Sequence, residues 1–119
     1  MVIAGKEYKE RETELTADEY LRCGVVNEKY STVFKKYIDI DTEEKELPKL
    51  WKSYQSLWLQ RIAFFVQGDI SGLALDKLTL EERQVVDDFF TSKLLPYMKR
   101  LVAYRQSSSN TESEAQADS

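Results

Sequence analysis

Apolar residues recur along this chain at intervals of three and four, the spacing that lines one side of an α-helix. The first such stretch opens at Leu15-Thr16-Ala17-Asp18-Glu19-Tyr20. Thr16 can cap the Glu19 amide while Glu19 reaches back to the Thr16 amide, and Leu15 can pack on Tyr20 as a hydrophobic staple. Gly24 suits the left-handed residue that commonly follows a helix, so this helix is expected to be short. From Val26 onward Tyr30, Val33, Phe34, Tyr37 and Ile38 share one face, which predicts a second helix over about 27–38.

After the charged connector 39–46, Pro48 stands where the first turn of a helix tolerates it. Leu50, Trp51, Tyr54, Leu57, Trp58, Ile62 and Phe65 follow at helical intervals, with Leu59, Ala63, Phe64 and Val66 on the other side. This helix is expected to end near Gly68, within the turn-forming run 68–72. A helix apolar nearly all round must be covered nearly all round, which a domain this small has limited means to do alone. Trp51, Trp58, Phe64 and Phe65 are therefore candidate anchors for self-association or for a protein partner, although the same spacing is what a core shows. A second capping box, Thr79 with Glu82, precedes Val85, Val86, Phe89 and Phe90. Pro96 is expected to kink or break that helix near Leu94-Leu95 before Met98, Leu101, Val102 and Tyr104 resume the pattern.

The two ends read differently. Val2-Ile3-Ala4-Gly5-Lys6-Glu7-Tyr8 has a β-prone start and a glycine that accepts the positive φ of a tight turn, so a small hairpin is expected there. It must pack on something, because an isolated hairpin is marginal. Beyond Arg105 the chain has no large apolar residue to offset the entropy of ordering it. The expected fold is mainly α: a β-hairpin within 1–14, a bundle of four to five helices over 15–105, and a disordered polar, acidic tail over 106–119.

Composition narrows what such a domain can do. With 119 residues there is room for one core. The longest apolar run, 62–66, is far short of the roughly 20 residues that cross a bilayer, so no membrane role is expected. Charge arrives at Lys6 and Glu7 before an apolar signal core could form, and the lone Cys23 can make no internal disulfide. The expected location is the cytoplasm.

The chain has no histidine, which removes the commonest general base, the commonest nitrogen ligand for metals and every histidine-containing triad. A single cysteine rules out thiolate zinc sites, and Cys23 reads as a small packing residue. The acidic connector fails as a calcium loop: counted from Asp39, its sixth and twelfth positions are Glu44 and Leu50, where Gly and a carboxylate are needed. The run 68–72 lacks the glycine two residues before Ser71 that a nucleophile elbow requires. Net charge is -4, with three acids (Glu112, Glu114, Asp118) in the tail, so the remainder is close to neutral. Lys35, Lys36, Lys93, Lys99, Arg100 and Arg105 form no stripe of one sign, and nucleic acid is not the expected partner. No catalytic, cofactor-binding or metal-ligating residue is assigned, and a binding role is favoured over catalysis.

The opening Ile3-Ala4-Gly5-Lys6-Glu7-Tyr8, followed by Glu14-Leu15-Thr16-Ala17-Asp18-Glu19-Tyr20-Leu21, resembles the tail assembly chaperones of long-tailed bacteriophages. In many of these a short hairpin with Gly-Lys and an aromatic precedes an L-T-x-x-E-[YF]-L helix start. A small helical domain with a polar, acidic tail is similar to their layout as well. The resemblance implies binding of tape-measure and tail-tube proteins in the host cytoplasm until the tail is built, with no catalytic residue. A second expectation, of another class, is a small regulatory protein that binds host transcription or defence machinery through the connector 39–46.

Overall fold

The computed structural model describes the backbone of residues 1–117 and the side chains of residues 1–100. A two-stranded antiparallel hairpin, β1 (Val2–Ile3) and β2 (Lys6–Glu7), precedes three α-helices: α1 (Ala17–Ile38), α2 (Leu47–Ala63) and α3 (Leu80–Ala117). Short 3-10 turns at Glu44–Glu46, Ser71–Leu73 and Leu75–Lys77 fill the connections. Val2 pairs with Glu7 and Ile3 with Lys6 across a turn in which both Ala4 (φ 51°) and Gly5 (φ 79°) are left-handed. That is the geometry of tight turns that match the twist of paired strands.

The helix count corrects the expectation of four to five. Gly24 does not end the first helix; the stretches read as two form the single α1. One glycine within a helix costs about 1 kcal/mol relative to alanine. Breaking the helix there would instead misplace Val26, Tyr30, Val33 and Tyr37, which share its inward side. Pro96 likewise lies inside α3 without ending it. The carbonyl left without an amide partner is that of Ser92, an exposed residue, so water can take the place of the missing donor. The expected tail beyond Arg105 falls on residues whose side chains lie outside the described set.

Both capping boxes form. The Thr16 hydroxyl accepts from the Glu19 amide at 3.2 Å while the Thr16 amide donates to the Glu19 carboxylate at 3.1 Å. Thr79 and Glu82 repeat this at 3.2 and 2.9 Å. The end of α2 falls at Ala63, ahead of the expected Gly68, because 65–67 leave the helix to pair with the extended segment 9–11. The Arg11 amide donates to the Phe65 carbonyl and the Gln67 amide to the Lys9 carbonyl, each at 2.8 Å. Gly68 (φ 78°) then takes the left-handed position after this pairing rather than after a helix.

Asn27 meets Arg61, Tyr30 meets Tyr54 and Tyr37 meets Trp51, so α1 and α2 run antiparallel. Tyr54 meets Arg83, Arg61 meets Asp87 and Phe65 meets Phe90, so α2 and α3 run parallel, joined by the crossover 64–79. Buried side chains form two clusters. One joins Ile3 and Tyr8 of the hairpin region to Tyr54, Trp58, Ile62, Val66, Leu73, Leu75 and Val86; the other gathers Leu15, Cys23, Phe65, Phe90 and Leu94. The hairpin thus packs on the α2 face and the crossover, which supplies the support an isolated hairpin lacks. Among the described residues no helix is long and apolar enough to cross a membrane.

Candidate functional site

Helical spacing brings polar side chains together at the centre of the bundle. Tyr54, Trp58 and Arg61 lie on one face of α2, Asn27 and Tyr30 on the facing side of α1, and Arg83, Asp87 and Phe90 on α3. Arg61 is only 6% exposed. Its guanidinium lies 3.9 Å from the centre of the Tyr30 ring and 4.1 Å from that of Phe90. Its Nε donates to Asn27 Oδ1 at 3.1 Å, while Nη1 comes no closer than 3.9 Å to Asp87 and has no hydrogen-bond partner. The Tyr30 and Tyr54 hydroxyls share a hydrogen bond at 2.9 Å, and Arg83 donates to the Tyr54 hydroxyl.

Burial sets the electrostatics of this hub. It pushes the Tyr30 hydroxyl well above the usual phenol range, raises the Asp87 carboxyl and lowers the Arg61 guanidinium. It also pushes the Cys23 thiol up to about 11. Cys23 therefore stays a neutral thiol at neutral pH, and it packs in the second core cluster as a small buried residue. Through its contacts with Asn27 and Tyr30 of α1 and Asp87 and Phe90 of α3, Arg61 ties the three helices together.

The surface offers more. Tyr37 and Trp51 stand with ring centres 5.6 Å apart, Trp51 and Tyr54 at 5.6 Å, and Phe34 and Tyr54 at 5.8 Å. This ladder runs to the tip where α1 turns into α2. The first turn of α3 stands level with Tyr54, through Arg83, and so has no residue that could cover the last turns of α1. Phe34, Ile38 and Trp51 are exposed as a result, and Ile40 in the acidic connector is 97% exposed. Exposed apolar residues rich in aromatics are the composition of interaction hot spots.

The four predicted anchors separate. Trp58 and Phe65 are buried within the chain itself, Trp58 donating from Nε1 to the Leu73 carbonyl at 3.0 Å and Phe65 set edge-on to Phe90. This corrects the expectation that they serve an interface: α3 and the crossover cover that side of α2. Phe64 is half-buried against the second core cluster, and Trp51 is exposed. The connector 39–46 stays at the surface, and among the described residues no group of three or more His, Cys, Asp or Glu side chains could hold a metal ion. Sequence reasoning placed Phe34 and Ile38 on a core face; their position beside the charged connector, past any third helix, was the signal that they could lie open. Arg61 gave a signal too, since it stands seven residues after Tyr54, on the face that carries Trp58.

Two grooves flank the exposed side of α1. The larger, about 780 Å³, lies between α1 and α2 and is lined by Val25, Thr32, Val33, Ser53, Ser56 and Leu57 among others. The second, about 400 Å³, lies between α1 and α3 and is lined by Tyr20, Leu21, Gly24, Asn27, Leu94 and Met98 among others. The chain matches no protein-family model, no curated protein and no solved structure.

Proposed function

We propose that this chain is a non-enzymatic protein-binding module of the kind it resembles, a tail assembly chaperone that holds tape-measure and tail-tube proteins during assembly. The observation that carries the reading is the uncovered apolar patch of Phe34, Ile38, Ile40 and Trp51 at the tip of the α1–α2 pair. Such a tip suits the apolar face of a helix in the tape-measure protein, with Trp51 and Phe34 as anchors and Tyr37 as their rigid backing. The polar groups able to do chemistry at the centre of the bundle are engaged in holding the helices together, which also favours binding over catalysis.

Co-expression with a tape-measure protein tests this. The wild-type chain should keep the tape-measure protein in solution and co-purify with it, whereas Trp51→Glu and Ile38→Glu should lose both effects with their helical circular dichroism unchanged. Retention of both effects by the two variants would refute the reading. The acidic connector, with Ile40 standing out of it, supports the regulatory reading as the alternative. In that case neutralising Asp39, Asp41, Glu43 and Glu44 should abolish binding to a host protein, and the tip variants should not.

A further inference from the structure

The lysines of α1 and α2 are scattered along the sequence, but the antiparallel pairing of the two helices gathers four of them around one groove. That groove, of about 780 Å³, has Lys29 on its α1 wall and Lys52 on its α2 wall. Lys36 stands seven residues after Lys29, and Lys49 three before Lys52 and four before Ser53, so helical spacing sets each on the same wall as its neighbour. All four are exposed, and among the described residues none is paired with a carboxylate. Glu28, the carboxylate of the lining, also lines the groove between α1 and α3 and so stands on the ridge that separates the two. Glu46 precedes Lys49 at the upper end. Val25, Val33 and Leu57 give the groove its apolar surface, and among the described residues neither an aromatic side chain nor any part of α3 lines it.

We propose that this groove docks a helix of another protein whose apolar stripe is flanked by glutamates or aspartates. Four lysines against Glu28 and Glu46 give the walls a positive sign, which selects an acidic partner. From Val25 to Lys36 the α1 wall rises roughly 16 Å at 1.5 Å per residue, about three turns of a docked helix. Apolar side chains at i, i+3, i+4 and i+7 of that helix rest on Val25, Val33 and Leu57. Acids on one side of the stripe meet Lys29 and Lys36, and acids on the other meet Lys49 and Lys52. A nucleic acid fits less well, because no ring offers a base a stacking surface and the space between the lysines is apolar. None of Phe34, Ile38 and Trp51 lines this groove, so its occupant and that of the aromatic tip can be tested apart.

The probe is a fluorescent three-turn peptide, stapled as a helix, with leucines at i, i+3, i+4 and i+7 and glutamates on both sides of them; its twin carries lysines in place of the glutamates. Fluorescence anisotropy should show saturable, salt-sensitive binding of the acidic peptide to the full chain and much weaker binding of the twin. The double variant Lys29→Glu, Lys52→Glu should raise the dissociation constant of the acidic peptide about tenfold or more and improve binding of the twin. Leu57→Asp should also weaken the acidic peptide, with helical circular dichroism unchanged, because Leu57 is half-buried and belongs to neither core cluster. Trp51→Glu should bind it as the wild type does. Absence of saturable binding, equal binding of the two peptides, indifference to the double charge reversal, or tighter binding of a single-stranded oligonucleotide than of the acidic peptide would each overturn the proposal.

Discussion

Arg61→Met should change stability by no more than about 1 kcal/mol, whereas Asp87→Ala should cost roughly 2–4 kcal/mol. In favour of the arginine stand two ring contacts, at 3.9 and 4.1 Å, each worth on the order of 1 kcal/mol, and the bond to Asn27, worth ~1 kcal/mol. Against it stands Nη1, buried without a partner at a cost of ~1–3 kcal/mol, together with the desolvation of a cation whose nearest carboxylate is 3.9 Å away. These opposing contributions nearly cancel. Methionine keeps the unbranched length and sets a polarizable sulfur near the rings. Asp87→Ala does the reverse, leaving Arg61 and Arg83 without their shared carboxylate. Breaking a buried pair costs ~3–5 kcal/mol, and the partial exposure of Asp87 moves its cost toward the lower end, roughly 2–4 kcal/mol. Urea unfolding followed by tryptophan fluorescence and by circular dichroism gives both values, with matching slopes required for the comparison. A loss above about 3 kcal/mol in Arg61→Met, alongside a silent Asp87→Ala, would refute the reasoning, because the guanidinium would then be a net stabiliser of the hub.

Glu19 is held down to about 2, chiefly by its bond to Arg11, against an ordinary value of 4.5. Its folded pKa lies below the unfolded one, so its contribution is complete above pH 4.5 and is lost as the pH falls toward 2. Thermal melts across that window should show this acid limb, and Glu19→Gln should flatten it. Native Cys23 should resist a disulfide reagent and react at the rate at which the domain opens, becoming fast only in urea; rapid labelling without denaturant would contradict its burial. Trp58→Ala should cost about 3–5 kcal/mol and Trp51→Ala nearer 1 kcal/mol by urea midpoint, an order that reflects which ring is enclosed.

Local chemistry was legible in the sequence; the partners of each face were not. Both capping boxes, the turn at Gly5 and the apolar side of α2 arise from residues that interact within a few positions of one another. Gly24 misled because glycine punctuates a helix only when the residues after it cannot continue the pattern, and Val26, Tyr30 and Val33 continue it well. The end of α2 was out of reach for the opposite reason, since segment 9–11 competes for the backbone of 65–67 and no local pattern announces a pairing over that distance. Trp58 and Trp51 have the same neighbours by helical periodicity. Only the start of α3, level with Tyr54, decides that one is enclosed and the other open. Spacing sets Arg61 on the face of Trp58, but its ring neighbours Tyr30 and Phe90 come from the other two helices, which no local pattern announces.

The hairpin region has a consequence for the order in which the molecule can be completed. Ile3 and Tyr8 leave the ribosome ahead of the helices, yet they share a core cluster with Leu73 and Val86, and Glu10 waits for Lys93 at 2.7 Å. Until those later residues emerge, the earliest ones have no surface to settle on, and two paired residues per strand cannot hold a hairpin by themselves. The α1–α2 pair can form as a local antiparallel unit, closing only the short connector between them. The hairpin residues, synthesised ahead of the helices, are therefore the last to find their places, and a nascent chain halted before α3 would expose the side of Trp58 that the finished domain seals.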